Sequence, residues 1–244
     1  MSIIDWHTHP YGHGEKALKP CHDLSILKNF VREAKNKGLT GLGFTDHEGY
    51  ISNFNFNNLY KIKNKEDIEV KIGVEFDYKP DREEDIKEIL DNYPFEYSIG
   101  SVHHIDNWNF DNPKYKDKFD KLNPSDLINV YKKYFSLVHK SVKCNLFDII
   151  GHFDLIKIFD YPVKDRTVIL DMVDPILNTM KKNENKLEIN MNGLNKPINE
   201  IYPACDILKQ AKYKDIDIVF SSDAHTAERV GENFILAQKI YNIL

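Results

Sequence analysis

Cysteine is scarce in this chain, with three in 244 residues: Cys21, Cys144 and Cys205. An odd number with no Cys-x-x-Cys argues against a disulfide framework and for a reducing compartment. Long apolar runs are missing. No stretch approaches the ~18 residues that a membrane span needs. The first residues, Met1-Ser2-Ile3-Ile4-Asp5, lack the basic and apolar runs of a secretory leader. A cytoplasmic protein with no membrane partner is expected. An excess of positive charge is missing too, with 33 Lys and Arg against 38 Asp and Glu. The net charge of -5 offers no global attraction to nucleic acid or an anionic membrane. Such a chain can still hold a local cationic pocket made by bound metals. Linkers, low-complexity segments and charge runs are also lacking, so residues 1–244 read as one domain. What remains, 41% hydrophobic and 29% charged, is enough for a large single core.

The segment Ile3-Ile4-Asp5-Trp6-His7-Thr8-His9 reads as a strand ending in His-x-His. Side chains alternate along a strand, so His7 and His9 share a face and can chelate one transition ion. A loop follows and presents His13. Further strands are expected at residues 41–44, 69–78, 97–102, 147–150, 186–191 and 217–220. Helices are expected at residues 23–37, 81–92, 124–143, 167–183, 203–214 and 227–241. Residues 51–65 read as a loop and short helix over the mouth, and residues 106–123 as a long irregular binding loop or lid. Alternating strands and helices predict a parallel sheet with right-handed crossovers, closing after about seven units into a barrel. An open doubly wound sheet is the alternative, but it would not gather every strand end at one point.

Those strand ends carry His7, His9, His47, Glu75, His103, His152, Asp223 and His225. In a barrel they face one cavity. Imidazole with carboxylate is a ligand set for zinc, manganese or iron, not for calcium or a cysteine-bound zinc. The ligands are too many for one ion. A carboxylate such as Glu75 can bridge two, as in two-metal hydrolysis. The plainer reading is a ring of polar rim residues. His22 competes with His13 for the loop position, or is a surface histidine at a helix start. Asp46 and Asp154 are expected to orient imidazoles. His104 should turn away from its neighbour His103, and His139 should be solvated. Lys196 and Arg229 stand beside strand ends, where either could pair with a phosphate or simply be hydrated. Phe54, Phe56, Trp108 and Phe110 either wall the pocket or pack a lid on the barrel.

The motifs in order resemble the PHP (polymerase and histidinol phosphatase) family. They are His7-Thr8-His9, Gly12-His13-Gly14-Glu15, Thr45-Asp46-His47, Gly73-Val74-Glu75, Gly100-Ser101-Val102-His103, Gly151-His152-Phe153-Asp154 and Ser222-Asp223-Ala224-His225. The resemblance implies a distorted (β/α)7 barrel with three divalent transition ions at the C-terminal strand ends. By that likeness His7, His9, Glu75 and Asp223 hold the first ion. Glu75, His103 and His152 hold the second, and His13, His47 and His225 the third. Ser101-Val102-His103-His104-Ile105, Glu200-Ile201-Tyr202-Pro203 and Val230-Gly231 are similar to the branch that hydrolyses histidinol phosphate in histidine biosynthesis. That implies a small phosphorylated substrate, with Lys196, Arg229 and His104 as candidate contacts. Asp223 or a metal-bound water would serve as proton donor. Two features depart from the branch: a short loop between His9 and His13, and Asn195 where an arginine is common. A phosphodiesterase or exonuclease is the nearest alternative, an aminohydrolase a further one, and a non-catalytic metal-binding module the alternative from another class.

Overall fold

A computed structural model describes residues 3–11 and 21–244 of the chain. Seven strands form a closed parallel barrel: β1 (Ile4–Thr8), β2 (Gly41–Phe44), β3 (Glu69–Asp77), β4 (Tyr97–Ser101), β7 (Ile149–Ile150), β8 (Lys186–Asn190) and β9 (Ile218–Ser221). Their order round the barrel is their order in the chain, and β9 returns to β1 with Asp5 opposite Phe220. The expected barrel is therefore present, and the open sheet is not.

Each crossover explains itself locally. Helix α1 (Leu24–Asn36) begins where the Asp23 carboxylate accepts from the Ser25 amide at 2.8 Å. It buries Leu27, Phe30, Val31 and Ala34, one face of a 3.6-residue repeat. Around the barrel follow α2 (Phe56–Lys65), α3 (Glu83–Asn92), α5 (Pro124–Lys143), α6 (Arg166–Asn183), α7 (Cys205–Tyr213) and α8 (Phe234–Ile243). Helix α5 has Pro124 in its first turn, where no backbone donor is needed, and Asn123 caps the amides of Ser125 and Asp126.

Two expectations are corrected. Residues 106–123 are not structureless. Strands β5 (His104–Ile105) and β6 (Trp108–Asn109) make a small antiparallel hairpin, and α4 (Asp117–Asp120) follows. Trp108 and Phe119 pack with ring centroids 4.8 Å apart, and Phe110 is buried against Tyr134. The expected helix over 227–241 is broken. A short 3-10 turn (Ala227–Arg229) gives way to Gly231 and Asn233, both at positive φ, before α8 starts. Gly231 has a reason to interrupt. Its amide donates to Asp5 Oδ2 at 2.7 Å, and the Ser222 amide and hydroxyl donate to the same carboxylate at 3.0 and 2.5 Å. This buried acid ties the last loop to the first strand. Burial pushes the Asp5 carboxyl up to about 6, against those hydrogen bonds.

The main core lies between barrel and helices. A smaller cluster of Tyr97, Ile99, Ile149 and Val219, with Trp6 against it, is separate. Ile99 pairs in register with Glu75 and Val219 with Glu188. Register partners share a face, so this cluster fills the barrel below the two acids.

Candidate metal centre

Strand register decides what meets at the mouth. Glu75 sits inside β3, and beyond the end of β2 the backbone of His47 still pairs with it. Glu75 is 1% exposed. Its Oε2 lies 3.4 Å from His7 Nε2, 3.5 Å from His9 Nε2 and 3.0 Å from His47 Nδ1. Its Oε1 lies 3.0 Å from His152 Nε2 and 3.7 Å from His103 Nε2. Asp223 Oδ1 is 3.4 Å from both His9 Nε2 and His225 Nε2. Three groups of ligand atoms lie within 4.8 Å of one another: His7, His9 and Glu75; Glu75, His103 and His152; and His9, Asp223 and His225. Glu75 belongs to two of them and His9 to two. The ring of His47 stacks on that of His9, with centroids 4.7 Å apart. His13 lies outside the described residues.

Two side chains of the cluster come from unusual backbone. His152 has φ 22° and Asp223 φ 51°. Non-glycine residues enter this region at a cost that the surrounding packing must offset.

The charges follow from the packing. Burial works against the Glu75 charge, but the imidazoles of His47 and His7 outweigh it and hold the carboxyl well below its usual range. Burial likewise opposes a proton on His103, yet hydrogen bonding to Asp77 and the charge of Glu75 raise it to about 10. His7 is raised well above its usual value, since Glu188 and Glu75 overcome desolvation. His9 moves the other way, lowered well below by burial and then by His225. Carboxylates therefore raise the proton affinity of His7 and His103 and hold Glu75 anionic, while His9, beside His225, loses affinity. This is the electrostatic preference of a site for cations. His7 Nε2 makes no hydrogen bond, while His7 Nδ1 is 2.6 Å from Glu188 Oε1. An imidazole oriented by a carboxylate through one nitrogen, with the other turned toward a bridging acid, suits a transition ion.

Glu188 went unnoticed in the sequence. Its Oε1 also accepts from the Ser221 hydroxyl, and its Oε2 accepts from the His152 amide at 2.5 Å. It stood in view as an acid between Leu187 and Ile189 in an apolar strand. Asp77, two residues past Glu75, contacts His103 Nδ1 at 3.4 Å and His104 Nδ1 at 2.8 Å. Asn192 donates to Asp223 Oδ2 at 3.0 Å, and Asn190 to the same oxygen at 3.3 Å.

A cavity of about 850 Å³ opens above the cluster. Asn109, Asp111 and Lys116 line it from the lid side, and Lys196 and Tyr202 from the β8 side. His104 lines it as well, so it does not turn away from the site. Lys116 is a cation that the strand-end motifs gave no reason to notice.

Other expected residues lie elsewhere. Arg229 does not line the cavity. Its guanidinium donates to Asn192 Oδ1 at 2.9 Å and to Glu232 at 3.0 Å, behind Asn192. Asn195 donates to the same Glu232. Among the described residues Asp154 orients no imidazole; it pairs with the buried Lys157 at 2.9 Å and accepts from the Ala204 amide. Asp46 does reach one, but that of His22 at 2.8 Å, with His9 at 3.8 Å. His22 is buried rather than on the surface, because Asp46 and the Asn55 amide engage both ring nitrogens. His139 is half-buried against the Thr179 hydroxyl at 3.0 Å. Phe54, Phe56, Trp108 and Phe110 pack beside the barrel and do not wall the cavity.

The family model described as "PHP domain" matches residues 21–192. A probable histidinol-phosphatase from Deinococcus radiodurans is 30% identical over 89% of this chain and 87% of its own length. A histidinol-phosphatase from Bacillus subtilis is 27% identical over 90% of this chain and 94% of its own. Among solved structures, the histidinol phosphate phosphatase of Lactococcus lactis complexed with zinc, L-histidinol and phosphate superposes with a TM-score of 0.76 and 21% identity. It covers 99% of this chain and 93% of that one. At that identity the superposition speaks for the fold.

Proposed function

Because the chain belongs to the PHP domain family, we propose that it is a metal-dependent phosphomonoesterase that hydrolyses L-histidinol phosphate to L-histidinol and phosphate. One observation carries this reading. Three groups of buried and half-buried metal-capable side chains share Glu75 and His9 beneath one cavity. The length of the match to curated histidinol-phosphatases supplies the substrate.

In this reading His7, His9 and Glu75 would hold one divalent ion, and Glu75, His103 and His152 a second. Asp223, expected at the first ion, groups instead with His9 and His225, which would hold a third, with His47 beside Glu75 and His13 from the first loop as the further donors that the family likeness gives it. Zinc is the first candidate because a related solved enzyme is complexed with it. Manganese and iron suit the same donors. Such ions supply Lewis-acid neutralisation of phosphoryl charge and a lowered pKa for a bound water. The protein supplies the rest. Lys196 faces the cavity and offsets phosphate charge, a role Arg229 is too far back to take. Asp223 is held anionic. Burial opposes that charge, but hydrogen bonds from His225 and His9 overcome it. That carboxylate, or a water held in the cluster, is the candidate proton donor to the leaving alkoxide. Asp111 and Asn109 on the lid side suit the cationic end of an amino-alcohol substrate.

Residues 1–244 act as one unit in this proposal, and the scarce, unpaired cysteines suit the cytoplasm. Among the described residues no helix is long and apolar enough to cross a membrane.

The test is phosphate release from a panel of phosphomonoesters by zinc-loaded protein. Histidinol phosphate should give the highest kcat/KM. Preference for a phosphodiester or for an unrelated sugar phosphate would overturn the substrate.

A further inference from the structure

Tyr202 is 1% exposed and lines the cavity, and its hydroxyl has no hydrogen-bond partner among the described residues. A buried hydroxyl without a protein partner costs stability unless a ligand or a water completes it. Phenylalanine would fill the same space without that cost. The tyrosine is also held with unusual care. Its backbone pairs with Asn190 at the end of β8, through bonds of 3.0 and 2.7 Å. The ammonium of Lys157 stands 5.5 Å from the centre of its ring. That ammonium is fixed in turn by Asp154 at 2.9 Å, Glu200 at 2.7 Å and the Ile201 carbonyl at 2.9 Å. On another side is Gly193, where an added Cβ would come 3.0 Å from Tyr202 Cε2 and 2.0 Å from the Glu200 carbonyl. The phenol is thus a donor fixed in place before any ligand arrives, the arrangement that binding and catalysis reward.

What it would bind follows from the walls. Burial, and then the charges of Asp154 and Asp223, push the phenol well above its usual range, so it keeps its proton. A neutral O–H that keeps its proton, held in place at the wall of the cavity, is best matched by an anionic oxygen. The nearby carboxylates do not accept it; Asp223 is already engaged by Asn190 and Asn192. Lys196 lines the same cavity, as a cation suited to the same anion.

We propose that Tyr202 is a substrate-contacting residue whose hydroxyl donates a hydrogen bond to a phosphate oxygen of the ester. The proposal rests on the phosphomonoesterase reading above.

The experiment compares zinc-loaded wild type with Tyr202→Phe. Three quantities are measured: kcat/KM for histidinol phosphate, binding of inorganic phosphate by calorimetry, and thermal stability with zinc content. The variant should lose about tenfold or more in kcat/KM and bind phosphate about tenfold more weakly. Its zinc content should be unchanged and its Tm equal or higher. A Tm that rises while phosphate affinity falls is the mark of a hydroxyl kept for a ligand. Phosphate affinity and kcat/KM within twofold of wild type would overturn the contact. So would a fall in Tm with loss of zinc, which would make the hydroxyl a packing element. Failure of the phosphatase reading shows separately, as wild-type protein that turns over no phosphomonoester. The contact then stands or falls on inorganic phosphate binding alone.

Discussion

Glu188 holds two parts of the cluster through one carboxylate: the ring of His7 on one oxygen and the backbone of His152 on the other. Burial opposes its charge, yet the facing imidazoles, His7 first, keep the carboxyl below its usual range. Replacing it by glutamine keeps the shape but removes the charge that fixes the His7 tautomer. Glu188→Gln should weaken zinc binding by about ten- to a hundredfold, the usual cost of losing such a support. Competition with a chromophoric chelator measures this, and a circular dichroism spectrum checks the fold. Zinc affinity equal to wild type would show that His7 needs no such support. A second comparison separates two cations. Lys196 faces the cavity and Arg229 does not, so Lys196→Ala should lower kcat/KM for a phosphomonoester about tenfold. Arg229→Ala should act mainly through Asn192 and Asp223, with a smaller change in KM. Equal KM effects in the two variants would count against Lys196 as the phosphate contact.

At the scale of elements, the segment after β8 is packed backbone to backbone. Gly193 leaves no room for a side chain, since a Cβ there would meet the Glu200 carbonyl carbon and oxygen rather than a flexible tip. Gly193→Ala must therefore push apart the turn that carries Asn192 and the strand-like segment that carries Tyr202. A loss of about 2 kcal/mol or more is expected from such overpacking. Urea denaturation measures it, and an unchanged midpoint would mean that the segment yields freely. The lid region shows how an element can be hidden. Strands β5 and β6 have two residues each, too short for any alternation to register. The break before α8 was hidden differently. The run from Ala227 to Tyr241 has helical periodicity, but Gly231 is drawn out of it by Asp5, which lies 226 positions away in sequence.

For the whole molecule, the cluster couples metal to protons and to stability. In metal-free protein, carboxylates raise the proton affinity of His7, His47 and His103 against burial. A divalent ion must displace the protons these rings bind, so binding releases protons and weakens as pH falls. Calorimetric titration with zinc in buffers of different ionisation enthalpy should show net proton release at pH 7. An enthalpy independent of buffer would contradict it. Zinc binds the folded chain, so at about a hundredfold excess over Kd it should add ~2.7 kcal/mol. For a domain of this size that is a Tm rise of roughly 5–10 °C. Chelation should reverse it, and an unmoved Tm would argue against a cluster that holds ions tightly.

The sequence alone determined the alternation of strand and helix, and with it the barrel. It also placed nearly every metal-capable histidine at a strand end. Those signals are local: period, caps and residue type within a few positions. The described members of that set, from His7 to His225, do converge. Which side chain faces which was decided only by barrel closure. Glu75 meets five imidazoles because β3 lies between β2 and β4 and in register with both. Glu188 reaches His7 only once β9 has closed on β1. Arg229 looked like a phosphate ligand in the chain, and Glu232 and Asn192 claim it in the fold. Tyr202 read as part of a motif, and its unpaired hydroxyl became visible only when the segment after β8 folded over the cavity. Hydrogen-bond partners far apart in sequence leave no periodic trace, so only the tertiary structure could assign them.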